Sequence, residues 1–343
     1  MASAKQQRID PNKIASIDDK TKSSRRASEP ADRKNGRSGR PGGRPPGAPK
    51  IHKATVSDWI AGARLRTLPL SIAPVILGTA AAHAALAPWK WLIIALALIV
   101  SVALQIGVNF ANDYSDGVRG TDRYRVGPAR LTASGAAKPR TVLTVALVFF
   151  GIAAVAGVVL AVDVAQYWLL AVGAVCVVAA YFYTGGKRPY GYYGLGEVFV
   201  FVFFGLVATA GTTFVQLGTV NFESWLCGVA IGLIACAVLM VNNIRDREQD
   251  KVAGKRTLAV LIGNRASRVV FTVFLLVPFV IVTYFTLIED NAFYTWFLLL
   301  IALPTCLIVL TGTTAKEFIL ALKLTSLTAL LYAIALGWSI AFN

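Results

Sequence analysis

Two short stretches of this chain space amides and carboxylates so that they could act together. Asn109, Asn112 and Asp116 stand three and four residues apart, with Gln105 one turn earlier; Asn242, Asp246 and Asp250 form a similar series further on. On a helix, residues three or four apart share a face, so each stretch is predicted to form a polar ridge. Carboxylate and amide oxygens are hard ligands suited to Mg2+, which usually sits between one or two carboxylates and the oxygens of a substrate phosphate. Two such ridges face to face would bracket a diphosphate and its metal ions. Matching cations follow each ridge: Arg119, Arg123, Arg125 and Arg130 after the first, with Asp122 among them, and Arg245, Arg247, Lys251, Lys255 and Arg256 with the second. Arg and Lys are the usual partners of phosphate oxygens.

A plainer reading is available for each ridge alone, since acids beside bases at a membrane surface can be solvated pairs contributing at most about 1 kcal/mol. The register argues against it. Asn112-Asp113-Tyr114-Ser115-Asp116 and Asn242-Asn243-Ile244-Arg245-Asp246 repeat Asn and Asp at one offset of 130 residues. Two copies of one helix-end device suggest a duplicated bundle with a shared site. Ionisable groups entering a membrane span cost a few kcal/mol each unless paired or ligated.

The elements that must position these ridges follow from composition. Of 343 residues, 56% are hydrophobic and 15% charged, against about 45–50% and about 25% in a soluble domain. The apolar residues lie in runs long enough to cross a bilayer as helix. An ordinary soluble enzyme, a wholly disordered chain and a disulfide-stapled secreted module are excluded. Cys176, Cys227, Cys236 and Cys306 all fall in apolar runs without C-x-x-C spacing and read as core residues. His52 and His83 stand apart from each other and from the acids, which argues against zinc or His-based catalysis.

Nine apolar spans are predicted, near 67–88, 91–112, 140–162, 166–184, 195–217, 224–244, 269–288, 291–311 and 319–342. The connections after spans one, three, five and seven are short and hold one base, Lys90. The other connections and the N-terminal flank are strongly basic. By the positive-inside rule the N-terminus and the long loops are expected to be cytoplasmic, with Asn343 outside. The chain carries a net charge of +16, of which residues 1–50 supply 13 bases against 5 acids. Between Gly36 and Lys50, nine of fifteen positions are Gly or Pro. Residues 1–50 are therefore expected to be a disordered, basic cytoplasmic tail, with attraction to anionic lipid headgroups as an alternative. Residues 51–343 form the polytopic domain. No nucleic-acid partner is expected, and oligomerisation is left open.

Here a resemblance becomes specific. Asn-Asp-Tyr-Ser-Asp-Gly-Val-Arg-Gly-Thr-Asp (112–122), followed by Arg-Val-Gly-Pro-Ala-Arg (125–130), resembles the first acidic motif of the UbiA-type intramembrane prenyltransferases. Within that superfamily it is most similar to the MenA branch, the 1,4-dihydroxy-2-naphthoate polyprenyltransferases. Arg-Thr-Leu-Pro (66–69), the Tyr-Thr-Gly-Gly to Gly-Leu-Gly-Glu stretch within 183–197, and Asn-Asn-Ile-Arg-Asp with Asp250 and Thr-Leu-Ala-Val (242–260) agree with it. The match runs from about 59 to 343 and omits the tail. The wider superfamily spaces its first motif Asn-Asp-x-x-Asp-x-x-x-Asp. Here Gly120 stands four after Asp116 and the next acid is Asp122, which favours the MenA branch and leaves open whether Asp122 is a ligand.

The resemblance implies an all-α integral membrane protein with nine helices in one bundle and a pseudo-repeat. It implies Mg2+-dependent transfer of a polyprenyl group from polyprenyl diphosphate to 1,4-dihydroxy-2-naphthoate, with loss of carbon dioxide, giving demethylmenaquinone at the plasma membrane. Asn112, Asp116, Asp246 and Asp250 are then expected to hold magnesium, with Asp113, Asp122 and Asn242 as further candidates. Arg119, Arg125, Arg130, Lys251, Lys255 and Arg256 would grip the diphosphate. Tyr183 and Lys187 are the best candidates in the tyrosine-rich stretch 181–193 for the reaction centre, where aromatic faces would attract the allylic cation. An interfacial aromatic belt accounts for those tyrosines equally well. Arg66 and Asn109 are expected to contact the acceptor; Gln105 reads better as a helix–helix contact. A UbiA-type enzyme using another aromatic acceptor is the alternative, and a secondary transporter the reading from another class, because repeats and intramembrane Asp are found there too.

Overall fold

The computed structural model describes residues 53–122 and 130–342. The tail 1–50 and Arg125 lie outside the described residues. Every described element is helical, as a bilayer demands of a chain that must satisfy its backbone polar groups internally. A short helix α1 (Val56–Ala63) leads through a 3-10 turn (Leu65–Thr67) into α2 (Pro69–Ala84). Then follow α3 (Trp91–Arg119), α4 (Pro139–Asp163), α5 (Leu169–Phe182), α6 (Gly196–Leu217) and α7 (Phe222–Val252). The chain ends in α8 (Leu258–Phe285), α9 (Asp290–Thr311, opening as a 3-10 turn) and α10 (Ala315–Ala341).

Among the described residues, seven helices (α3, α4 and α6–α10) are long and apolar enough to cross a membrane. An eighth crossing results if the bent pair of α1 with its turn and α2, angled at 45°, is one span. Helix α5 matches the expected fourth span in place but has only 14 residues, short of the ~20 that cross the hydrocarbon upright. Two other differences have local causes. The seventh span begins earlier than expected, at Leu258, because a turn of helix precedes Gly263 (φ 82°), where the backbone leaves helical geometry. Helices α3 and α7 extend beyond the apolar runs 91–112 and 224–244, so both polar ridges sit on regular helix to Arg119 and Val252.

Helix α7 is the axis of the bundle, with 72% of its most apolar window buried. Gly228 and Gly232 on α7 let α6 approach closely at Gly205, where a Cβ would lie 2.6 Å from the Gly228 carbonyl oxygen. Polar bonds inside the bundle lock the same region. Thr213 and Ser224 hydroxyls lie 2.7 Å apart, and Gln216 Nε2 donates to Thr79 Oγ1 at 2.9 Å. On the other side α3 packs on α4 through Phe110, Val142, Ala146 and Phe150. Helix α3 ends at Gly120, whose φ of 73° suits glycine and turns the chain out of the helix. The ridges of α3 and α7 are thus carried by the two longest helices, each rooted in its own packed cluster.

Candidate active site

The ridges meet through a lysine. Asp116 is buried at 4% exposure, and its Oδ2 lies 3.2 Å from Lys255 Nζ. The same ammonium is 3.9 Å from Asp250 Oδ1. One cation is therefore shared by a carboxylate from the end of α3 and one from the end of α7. The Tyr192 hydroxyl donates to Asp116 Oδ1, and Lys255 Nζ stands 4.8 Å from the centre of that tyrosine ring. Burial pushes the Lys255 pKa down, but the negative charge of Asp116, with Tyr192, Asp250 and Asp122, outweighs it and holds the ammonium above the usual lysine value. Burial, then the Asp116 charge, raises the Tyr192 phenol.

The remaining members of the ridges have partners of their own. Asn112 Oδ1 accepts the Thr184 hydroxyl at 2.6 Å. Arg245 forks onto Asp246 at 2.7 and 2.6 Å and also donates to Asn242 Oδ1 at 2.7 Å. Asp122, beyond the helix end, lies 3.4 Å from Arg130 Nε. Asp113, a further candidate for the metal, lines the cavity and also carries a structural load. Its two oxygens accept the backbone N–H groups of Leu131 and Thr132 at 3.0 and 2.8 Å, so it anchors the loop after α3. Its counterpart in the repeat, Asn243, likewise turns to structure and donates to Glu197 Oε1 at 3.0 Å.

The described members of the expected diphosphate cations divide into three groups. Arg119 donates to the carbonyls of Thr184 and Gly186 and lies 5.5 Å from the Tyr192 ring centre, tying the end of α3 to the loop before α6. Lys255 and Arg130 face the acids, whereas Lys251 in the last turn of α7 and Arg256 on the loop after it are exposed, as is Lys187, the reaction-centre candidate on the loop before α6. The backbone N–H of Arg256 bonds the Tyr192 carbonyl at 2.9 Å, which fixes the two loops to each other.

Beneath these loops lies a cavity of about 380 Å3. Its polar end is lined by Arg64, Arg66, Asn109, Asn112, Asn242 and Arg245. Asn109 donates to the Ala63 carbonyl at 3.0 Å and Gln105 to Thr67 Oγ1 at 3.3 Å. Both therefore hold the turn that carries Arg64 and Arg66 against α3, which is the helix-contact role expected for Gln105. Tyr183 lines the next level, edge-on to Tyr190 at 5.5 Å, and Tyr190 stacks on Phe199 at 3.9 Å. Below them the wall is apolar, with Phe203, Phe204 and Val207 from a π-helical stretch of α6. Sequence reasoning passed over Arg64, and it treated Arg245 as one loop cation among several. The available signal for Arg64 was its place two residues before Arg66; its left-handed conformation (φ 55°) is a structural fact.

The oxygens here suit a hard divalent cation. Among the described residues no three His, Cys, Asp or Glu side chains close a metal site by themselves. Asp116 and Asp250, which already share one cation across the gap, would hold such an ion together with water and substrate oxygens, as Mg2+ is usually held.

The UbiA prenyltransferase family profile matches residues 71–317. The chain belongs to that family. The 1,4-dihydroxy-2-naphthoate octaprenyltransferase of Mycobacterium tuberculosis is 44% identical over 307 residues, covering 84% of this chain and 99% of the relative. The apo UbiA homologue from Aeropyrum pernix K1 superposes with a TM-score of 0.63 at 14% identity, over 78% of this chain and 96% of that one. A UbiA homologue from Archaeoglobus fulgidus bound to DMAPP and Mg2+ gives 0.51 at 14%, over 83% and 99%. At such identities the structures share the fold. The UbiA profile begins after the Arg64–Arg66 turn.

Two substitutions separate anchoring from function in this UbiA chain. Asp113→Ala strips two buried amides of their acceptor and is expected to cost about 2 kcal/mol of stability, read as a lower melting temperature whether or not Mg2+ is present. Lys255→Met leaves the buried Asp116 and the half-buried Asp250 without their common cation, a loss of about 3 kcal/mol. Its melting temperature is expected to fall in EDTA and to recover in millimolar Mg2+. Recovery of Asp113→Ala, or none for Lys255→Met, would reverse the two assignments.

Proposed function

We propose that this UbiA-family enzyme transfers a polyprenyl group from polyprenyl diphosphate to 1,4-dihydroxy-2-naphthoate, releasing diphosphate and carbon dioxide and yielding the demethylmenaquinone skeleton. The observation that carries this reading is the Lys255 ammonium shared by Asp116 and Asp250, set above an aromatic-walled apolar cavity. The resemblance to 1,4-dihydroxy-2-naphthoate octaprenyltransferases, in the M. tuberculosis case along nearly the whole relative, supports the choice of acceptor.

Asn112, Asp116, Asp246 and Asp250 would hold magnesium, with Asp122 and Asn242 close by. When bound, the metal would neutralise charge developing on the leaving diphosphate. The chain's own work is to aim cations at those oxygens and to keep water from the allylic carbon. Lys255 is placed to pass from the carboxylates to the diphosphate, where Arg130, Lys251, Arg256, Arg119 and Arg125 would join it. Fixed charges of this kind stabilise the transition state because they need no reorganisation as it forms. Tyr183, Tyr190 and Phe199 would face the cation through their rings, in a cavity dry enough that water does not quench it. Arg66 and Arg64 supply guanidinium groups suited to the acceptor carboxylate, with Asn109 fixing their turn.

The chain crosses the bilayer nine times in this reading, with the bent α1–α2 pair and the short α5 as the first and fourth crossings. The N-terminus and the catalytic loops then face the cytoplasm across the plasma membrane, as their basic charge requires. Enzymatic reporters fused after Asn343 and within the loop following α7 should report opposite sides; the same side for both would remove one crossing.

The reaction itself is tested with purified protein, a long-chain prenyl diphosphate and Mg2+, offering 1,4-dihydroxy-2-naphthoate and 4-hydroxybenzoate side by side. A decarboxylated prenyl-naphthoquinol, or the quinone that air makes of it, is expected by mass, abolished by EDTA and by Asp116→Ala. Prenylated 4-hydroxybenzoate alone would keep the mechanism and replace the acceptor. Turnover undiminished in EDTA or in Asp116→Ala would contradict the role given to the acids.

A further inference from the structure

The far end of the cavity contains three glycines, Gly157 on α4, Gly173 on α5 and Gly211 on α6, that packing does not explain. Gly151 on the exposed face of α4 is open as well, but at the closely packed positions of the bundle a missing Cβ has a reason. A Cβ on Gly78 would lie 2.8 Å from Thr212 Cβ, one on Gly107 2.6 Å from the Phe150 ring, and one on Gly205 2.6 Å from the Gly232 Cα. A Cβ on Gly173 or Gly211 would meet no atom within 4 Å, and one on Gly157 only Val100 Cγ2 at 3.9 Å. Glycine inside a helix costs about 1 kcal/mol relative to alanine. Here that cost brings no closer helix contact. What the three positions share is open space lining one cavity, reached from three different helices.

Their depth gives that space a use. From Asn112 at the polar end to Ala97 at the deep end, the α3 wall of the cavity runs about 22 Å. At about 380 Å3 the cavity suits a drug-sized molecule, and an aromatic acceptor with the first isoprene units of a donor would fill it. A longer chain must continue through the wall. Helix α5 is where the wall is thinnest: none of its residues is fully buried, and Gly173 is exposed. Its flanks are closed above and below this level. Tyr190 donates to the Ala179 carbonyl at 2.6 Å on the loop side, and Trp168 meets Phe214 edge-on at 5.2 Å near the opposite end.

Resting on the prenyl-transfer reading of the polar end, we propose that Gly157, Gly173 and Gly211 determine which isoprenoid chain lengths the enzyme accepts, by leaving the deep end of the cavity open for the chain to run on towards the bilayer. They touch the tail of the donor and take no part at the reacting carbon. Bulk at these positions therefore discriminates by length and leaves the chemistry of a short donor intact.

The test compares geranyl and octaprenyl diphosphate as donors for the full-length enzyme, in wild type and in Gly157→Leu, Gly173→Leu and Gly211→Leu. Alanine variants of Gly173 and Gly211, whose added methyl meets nothing, serve as controls. The octaprenyl-to-geranyl ratio of kcat/KM is expected to fall about tenfold or more in the leucine variants, with geranyl turnover near wild type and the alanine ratios little changed. A ratio unchanged in all three leucine variants, with wild type active on both donors, overturns the chain-length assignment and leaves the polar site standing. A wild type that consumes neither donor overturns the reading of the site itself. Should a leucine variant fail to fold, Gly173→Cys in a Cys176→Ala background gives a second measure. Maleimide labelling of that thiol should be blocked by octaprenyl but not geranyl diphosphate; equal labelling with both would refute the proposal.

Discussion

A buried carboxylate and a half-buried one, carried to the same place by the ends of two different helices, need a cation between them. In this chain Lys255 provides it, 3.2 Å from Asp116 and 3.9 Å from Asp250. Most of what surrounds the site follows from that requirement. Desolvated like charges repel strongly unless a counter-charge is near, so the loop bearing Lys255 has to be held over the gap. Tyr192 and the Arg256 amide hold it, and Arg119 fastens the tyrosine loop to α3 through carbonyls of residues 184 and 186. Loop and ridge are thus parts of one electrostatic unit.

The fold supplies the other half of the constraint, rigidity. Helices α3 and α7 are the longest in the bundle, and each extends past its apolar run so that the acids stand on regular helix. Glycine contacts and buried hydroxyl bonds fix α7 against α6 and α2. Asp113 and Asn243, at equivalent points of the repeat, fasten neighbouring segments. In both copies of the motif, then, the residue after the first Asn braces a neighbouring segment.

Much of this was legible in the sequence because helical spacing is a local code. Asp116 and Asp250 were placed on inward ridges by i, i+4 arithmetic, and the repeat announced that the ridges belong together. The rest depends on contacts that spacing cannot encode. Nothing near Asp113 distinguishes a loop anchor from a ligand until Leu131 and Thr132 fold back onto it. Tyr192 reaches Asp116 across 76 residues of chain. Arg64 turns into the cavity through a backbone conformation that composition does not reveal. Hydropathy also marked a full fourth span where the structure has a 14-residue helix, since apolar character persists into the turns at both ends.

The central claim is that the ends of α3 and α7 make one site. It is tested most directly by measuring prenyl diphosphate affinity in Mg2+ by equilibrium dialysis for wild type, Asp116→Asn, Asp250→Asn and the double variant. A shared site predicts that each single substitution removes most of the binding and that the double variant loses little more. Losses that multiply, as for two independent sites, would contradict it.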